Sequence, residues 1–254
     1  MRFLITILCL ISSLLLAAQK NHRAIELDHL GHIYSINENE LKKYTAEGKM
    51  ISNYSDALLG EITTIDVSNP LRLLIFYKES NLVVYLDQNL SPINDPIDLY
   101  TYSDNETLLC CNASSGGFWI YNPEDNQTFN ISKQGEIRNK SLLLDAYFKN
   151  KQPSKMIEYH DALYFLIPSQ GILILNKFGQ FEQHVLLPGI TDFCFDNQTL
   201  FYQKNRTWLK YNPLLQIDTL IFEQKGTNDC QSKIRADKIY IFCRDQISIK
   251  TLNH

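Results

Sequence analysis

Glu26, Asp66 and Glu158 occupy one and the same place in three copies of a short pattern, and this coincidence is the main opening for chemistry in the chain. The pattern is apolar, any residue, apolar, then a polar turn former, as in Ile25-Glu26-Leu27-Asp28 and Ile157-Glu158-Tyr159-His160. Three further copies put Cys110, Cys194 and Arg235 at that place. Three carboxylates in a ring of six could hold a hard cation, and Arg235 could recognise an anionic group. Two cysteines and an arginine in the remaining places point instead to polar residues at the edge of a solvated channel, so no metal site is expected.

The other reactive residue types give less. Cys9 lies in the apolar leader, and Cys110, Cys111, Cys194, Cys230 and Cys243 follow it. An odd number leaves at least one free thiol. If the chain turns at Ala236-Asp237, Cys230 faces Cys243 and a disulfide can form; the competing expectation is that all five are small buried hydrophobes. His29, His32, His160 and His184 stand alone, without a second ligand at metal spacing. No serine sits in a Gly-x-Ser-x-Gly elbow. No catalytic and no cofactor-binding residue is therefore assigned. Asn-x-Ser/Thr triplets at Asn53, Asn105, Asn112, Asn126, Asn130, Asn139, Asn197 and Asn205 read as turn chemistry in preference to glycan acceptors.

The elements that would carry these residues repeat. Apolar runs at residues 32–36, 71–77, 117–121, 163–167, 200–202 and 239–242 begin 39, 46, 46, 37 and 39 residues apart, the interval of a four-stranded propeller blade. They are β-branched or aromatic and too short for helices. The pattern holding Glu26 precedes each run as a strand of period two, which makes it the innermost strand of a blade. After each run, Tyr44, Tyr85, Ile131 and Leu175 are followed four residues later by Gly48, Asn89, Gly135 and Gly179, residues that accept the left-handed conformation of a hairpin turn. Tyr211 keeps this third strand in the fifth unit but has Leu215 in the glycine place. Fourth strands follow at residues 49–54, 184–187 and 218–222. The one helical stretch of note is residues 139–148, between the third and fourth units.

The expected fold is all-β, a propeller of six four-stranded blades, with seven as the alternative. The sixth unit shows three strands, and residues 19–23 are the expected source of the closing strand, because closure removes exposed edges. Trp119, Tyr121, Tyr100, Tyr102 and Trp208 could belong to core or to an interface, and residues 90–105 form the longest irregular link.

Arg2 precedes an uncharged run over residues 3–18 that ends in small residues, the pattern of a secretory leader cut after Ala17 or Ala18. Sixteen residues fall short of the roughly 20 needed to span a bilayer. The organisation expected is a leader at 1–18 and one domain at 19–254. The formal charge is −4, or −5 once Arg2 leaves with the leader, which gives no support to binding of nucleic acid or an anionic membrane.

Strand, turn, strand and then Tyr-x-x-x-Gly-Lys, as at Tyr44 to Lys49, resembles the blades of six-bladed propellers of the NHL and lactonase-like type. Residues 65–77 and Gly117-Phe118-Trp119-Ile120-Tyr121 are also similar to uncharacterised exported propellers of Bacteroidota. The resemblance covers the mature chain. It implies a periplasmic or cell-surface location and a protein-interaction or scaffold role, with another envelope protein as partner. The lactonase-like pattern also implies an alternative: a hydrolase of small molecules whose Ca²⁺ or Zn²⁺ would sit in the central channel on Glu26, Asp66 and Glu158. The asparagine ligand of that pattern has no counterpart here.

Overall fold

The computed structural model describes residues 23–148, 151–213, 218–225, 230–243 and 246–252. Alternation of apolar and polar residues between tight turns produces short antiparallel strands, arranged as one meander after another. Blade one comprises β1 (Arg23–Leu27), β2 (Ile33–Asn37), β3 (Glu40–Tyr44) and β4 (Met50–Ser55). Blade two comprises β5 (Thr64–Asp66), β6 (Leu73–Tyr77), β7 (Leu82–Leu86) and β8 (Ile97–Asp98). Blade three comprises β9 (Leu109–Asn112), β10 (Phe118–Asn122), β11 (Gln127–Ile131) and β12 (Ile137–Lys140). Blade four comprises β13 (Lys155–Tyr159), β14 (Ala162–Ile167), β15 (Gly171–Asn176) and β16 (Phe181–Leu186). Blade five comprises β17 (Ile190–Asp196), β18 (Thr199–Lys204), β19 (Thr207–Lys210) and β20 (Thr219–Glu223), and blade six β21 (Cys230–Arg235), β22 (Lys238–Cys243) and β23 (Gln246–Thr251). Every sheet runs in sequence order from its first strand, so β1, β5, β9, β13, β17 and β21 surround the centre. The fold is a six-bladed β-propeller.

Its core is divided among the blade interfaces. Six apolar clusters lie one at each interface, from Tyr34, Leu41 and Leu73 between blades one and two to Ile25, Ile33, Tyr240 and Phe242 between blades six and one. The second strands β6 and β10 are buried on both faces, which is why they read as continuous apolar runs. The seam where blade six meets blade one is the thinnest of these interfaces, with four buried residues against thirteen between blades one and two among the described residues.

The turn after the third strand is built as the motif requires, with one change. Gly48, Gly135 and Gly179 adopt φ of 85°, 82° and 78°. In blade two the positive φ falls on Leu90 (66°) and not on Asn89, because Leu86, not Tyr85, ends the strand. Leu90 is 3% exposed, so burial in the core holds a side chain in a conformation that favours glycine. A second signal of the same turn escaped the sequence reading: Thr45, Asp87, Ser132 and Asn176 each accept two backbone N–H bonds from across the turn.

Other expectations shift by a few residues. The helix in the link after blade three is a single turn, α1 (Asp145–Phe148), and Asn139 and Lys140 belong to β12. Tyr211 lies just beyond β19, and Leu215 lies outside the described residues. Arg23, expected at the end of the closing strand, is the first residue of β1 and pairs with Asn37; the rest of that segment and the leader lie outside the described residues. Residues 90–105 contain β8 and a 3₁₀ turn at Leu99–Thr101.

Candidate functional site

A central cavity of about 990 Å³ passes between the first strands. Glu26, Asp66, Cys110, Glu158, Cys194 and Arg235 all line it, so the repeat register brings the six residues singled out from sequence into one place. What the register did not reveal is where their polar atoms go.

The carboxylates are engaged with protein donors from neighbouring blades. Asp66 accepts from the Asn112 backbone N–H at 2.8 Å and from Ser68 at 2.8 Å. Glu158 accepts from the Ser114 N–H at 3.0 Å, the Ser114 hydroxyl and the Trp119 indole N–H. Glu26 accepts from Lys233 at 3.0 Å. Among the described residues there is no group of three or more His, Cys, Asp or Glu placed to hold a metal ion.

A charged chain that sequence reasoning missed runs through the same cavity. Lys155 of β13 donates to Asp192 of β17 at 2.7 Å, Asp192 receives Lys233 of β21 at 2.7 Å, and Lys233 reaches Glu26 of β1. Two cations alternate with two anions across blades four, five, six and one. The side chains of Lys233 and Asp192 are only 11% and 17% exposed. Burial alone would raise the Asp192 carboxyl, but the two ammonium groups overcome it and hold the acid far below the usual carboxylate range. Burial would likewise lower Lys233, whereas Asp192 and Glu26 hold it above its ordinary value. The residues were not visible as a set because Lys155, Asp192 and Lys233 each lie two or three places before the aligned channel position.

Arg235 donates to the Phe195 carbonyl at 3.2 Å and lies 3.5 Å from Asp196, again from blade six to blade five. The Cys194 thiol donates to the Ile234 carbonyl at 3.7 Å, and burial, reinforced by Asp192, pushes it up to about 12. Burial also raises Cys110 and Cys111 well above the ordinary thiol value. Cys230 and Cys243 stand opposite in the β21–β22 register and are joined by a disulfide.

The cavity opens at one end among the turns that join first and second strands. Tyr159 and Phe195 line that mouth and stack at 4.2 Å with an interplanar angle of 3°. Leu30 and Leu71, in two of these turns, are 60% and 67% exposed. Of the aromatics left open by sequence, Trp119, Tyr121 and Trp208 are core, and Tyr100 is exposed. Of the Asn-x-Ser/Thr asparagines, Asn112 and Asn130 are buried, and Asn126, Asn197 and Asn205 occupy left-handed turn positions.

No family model and no curated protein matches the chain. Solved structures match its fold. A streptogramin B lyase is 13% identical, with 91% of this chain and 83% of that chain covered and a TM-score of 0.58. A protein of unknown function from Bacteroides caccae is 11% identical over 83% of this chain and 81% of that one, TM-score 0.52. The extracellular domain of a one-component system from B. thetaiotaomicron is 14% identical over 96% of this chain and 38% of that one, TM-score 0.55. The likeness is one of fold. No described helix is long and apolar enough to cross a membrane.

Proposed function

We propose that this propeller is an exported binding module that engages another envelope protein through the rim at the first-hairpin mouth of its channel. The observation that carries this reading is the exposure of Leu30 and Leu71 in the first-to-second-strand turns of blades one and two, the same kind of turn that Tyr159, Phe195 and Arg235 adjoin in blades four, five and six. Aromatic and arginine side chains are enriched at interface centres, and exposed apolar residues on the same end of the ring add to the area a partner could cover. The apolar leader and the fold likeness to an extracellular Bacteroides domain support an envelope location.

The bonding inside the channel argues in the same direction. A catalytic or metal-binding carboxylate needs free lone pairs aimed at substrate or ion. Here both oxygens of Glu158 accept from blade three, Asp66 accepts from Asn112 of blade three and from Ser68 of its own turn, and one oxygen of Glu26 accepts from Lys233 of blade six, which supports a role in holding the ring. Metal analysis of the purified protein addresses the hydrolase alternative: stoichiometric Ca²⁺ or Zn²⁺ that disappears in Glu158→Ala would overturn the binding reading.

The direct test is the double variant Leu30→Asp/Leu71→Asp. Both positions are exposed, so its melting temperature should match the parent. Crosslinking and pull-down from envelope extract should recover one recurrent protein with the parent and lose it with the variant; retention by the variant, or nothing recovered by the parent, refutes the assignment.

A further inference from the structure

The outer flank of blades three and four carries a cluster of large apolar side chains turned to solvent. Leu142, Leu143, Phe178, Phe181 and Leu186 are between 44% and 73% exposed. They form one ridge because the link over residues 141–151 runs beside β16 in the same direction. Ser141 lies against Gly179, Tyr147 stacks on Phe181 at 4.6 Å, and Lys151 shares a shallow pocket with Leu186. The Gln170 side chain fastens the link, donating to the Phe148 carbonyl at 2.7 Å. The bulge in the β15–β16 register completes the ridge: Phe181 pairs with Leu175 and Leu186 with Gly171, four residues apart on β15, so both side chains lie on the face toward the link. A contiguous exposed apolar group of this kind marks an interaction surface.

Charge distinguishes the occupants this ridge would accept. Residues 133–151 and 176–188 hold six basic residues to three acidic, in a chain whose formal charge is −4. The Lys177 ammonium stands 5.6 Å over the Phe178 ring, and Lys151 borders Leu186. A second copy docking through the same ridge would set positive charge against positive, and so would residues 1–22, which contain Arg2 and Lys20 and no acid. The complementary surface is therefore anionic. Five of the six basic residues are lysines. Lysine is depleted in the cores of protein interfaces, whereas at a membrane surface its stem lies along apolar groups and its ammonium reaches the headgroups. We propose that this flank docks on an anionic phospholipid bilayer, with Leu142, Leu143, Phe178, Phe181 and Leu186 entering the headgroup boundary and Lys151 and Lys177 held at the phosphates. The net charge of the whole chain conceals this, because the basic residues are gathered on one flank. Leu30 and Leu71 belong to turns of blades one and two, so the bilayer contact and the rim assignment can fail independently.

The experiment uses the full chain and vesicles of phosphatidylcholine, with or without about one third phosphatidylglycerol. Phe178→Trp supplies a local reporter, since residues 1–22 contain no tryptophan and Trp119 and Trp208 are buried. On anionic vesicles its emission should shift to the blue and be quenched by lipids brominated on the acyl chain, and neutral vesicles should bind about tenfold more weakly or worse. Leu142→Asp/Leu143→Asp and Lys151→Glu/Lys177→Glu, each made in the reporter protein, should lower affinity by about tenfold or more. All four side chains are exposed, so melting temperatures should not change. Leu30→Asp/Leu71→Asp should bind vesicles as the reporter protein does. The proposal is overturned if the reporter is not quenched on anionic vesicles, if neutral vesicles bind as tightly, or if either ridge variant keeps full affinity. It is also overturned if the reporter responds to polyglutamate and not to vesicles, which would make the partner an acidic protein, or if light scattering shows a dimer that the Leu142→Asp/Leu143→Asp variant abolishes.

Discussion

Lys233 of β21 and Glu26 of β1 meet at 3.0 Å across the seam where blade six joins blade one. Because Lys233 also holds Asp192, which holds Lys155, this contact is the last link of a chain spanning four blades. Lys233→Met should therefore destabilise strongly, by about 3 kcal/mol, since removing one partner leaves a buried acid with half its compensation. Glu26→Gln should cost less, because Glu26 is 30% exposed and Lys233 keeps Asp192. Urea midpoints of the two variants rank them; equal costs would refute the ordering.

Acid should loosen the ring through Asp192. Its carboxyl is held below the unfolded value, so the stability it supplies is complete above the unfolded pKa of about 3.9 and is lost as pH falls toward the folded value. Lys233 is held above its ordinary value, so its contribution is complete below about pH 10.4 and is lost only in stronger base. Stability contributed by this pair is flat between about pH 5 and 9. A melting-temperature series should fall below about pH 4 in the parent and fall less in Asp192→Asn.

Two turn substitutions should fail for opposite reasons. Gly48→Val places a β-branched residue at φ 85° and should cost about 1–3 kcal/mol. Leu90→Gly relieves a left-handed leucine worth about 1 kcal/mol, but it removes a buried side chain worth about 2–5 kcal/mol, so it also destabilises. Thermal melts check both, and a stabilised Leu90→Gly would show that strain outweighs burial there.

The cysteines should divide into two classes. Reduction of Cys230–Cys243, 13 residues apart, should lower stability by about 2–4 kcal/mol, read as a drop in urea midpoint with reductant. Cys110 and Cys111 are buried and should react slowly with a thiol reagent at pH 8 until the protein unfolds, because burial suppresses their thiolates, whereas Cys194 is half-buried on the channel wall and should react faster than these two. Rapid labelling of Cys110 or Cys111 in the native state would contradict this burial.

The sequence by itself determined the blade plan. Spacing of apolar runs, period-two alternation and a turn residue every few positions are local properties, and each blade is a local meander, so β2, β6, β10, β14 and β22 lie where the runs predict. The register of Ile25-Glu26-Leu27-Asp28 and its copies also placed six residues in one channel. Tertiary structure decided what those residues do. Glu158 meets Ser114 and Trp119 from 44 and 39 positions away, about one blade interval, and Lys233 meets Glu26 from 207 positions away; the period sets which blades are neighbours, but which side-chain atoms meet across them is decided only by how the blades pack in the ring. Which donors the channel carboxylates accept from and which leucines are exposed at the rim follow from ring closure, a property of the whole chain.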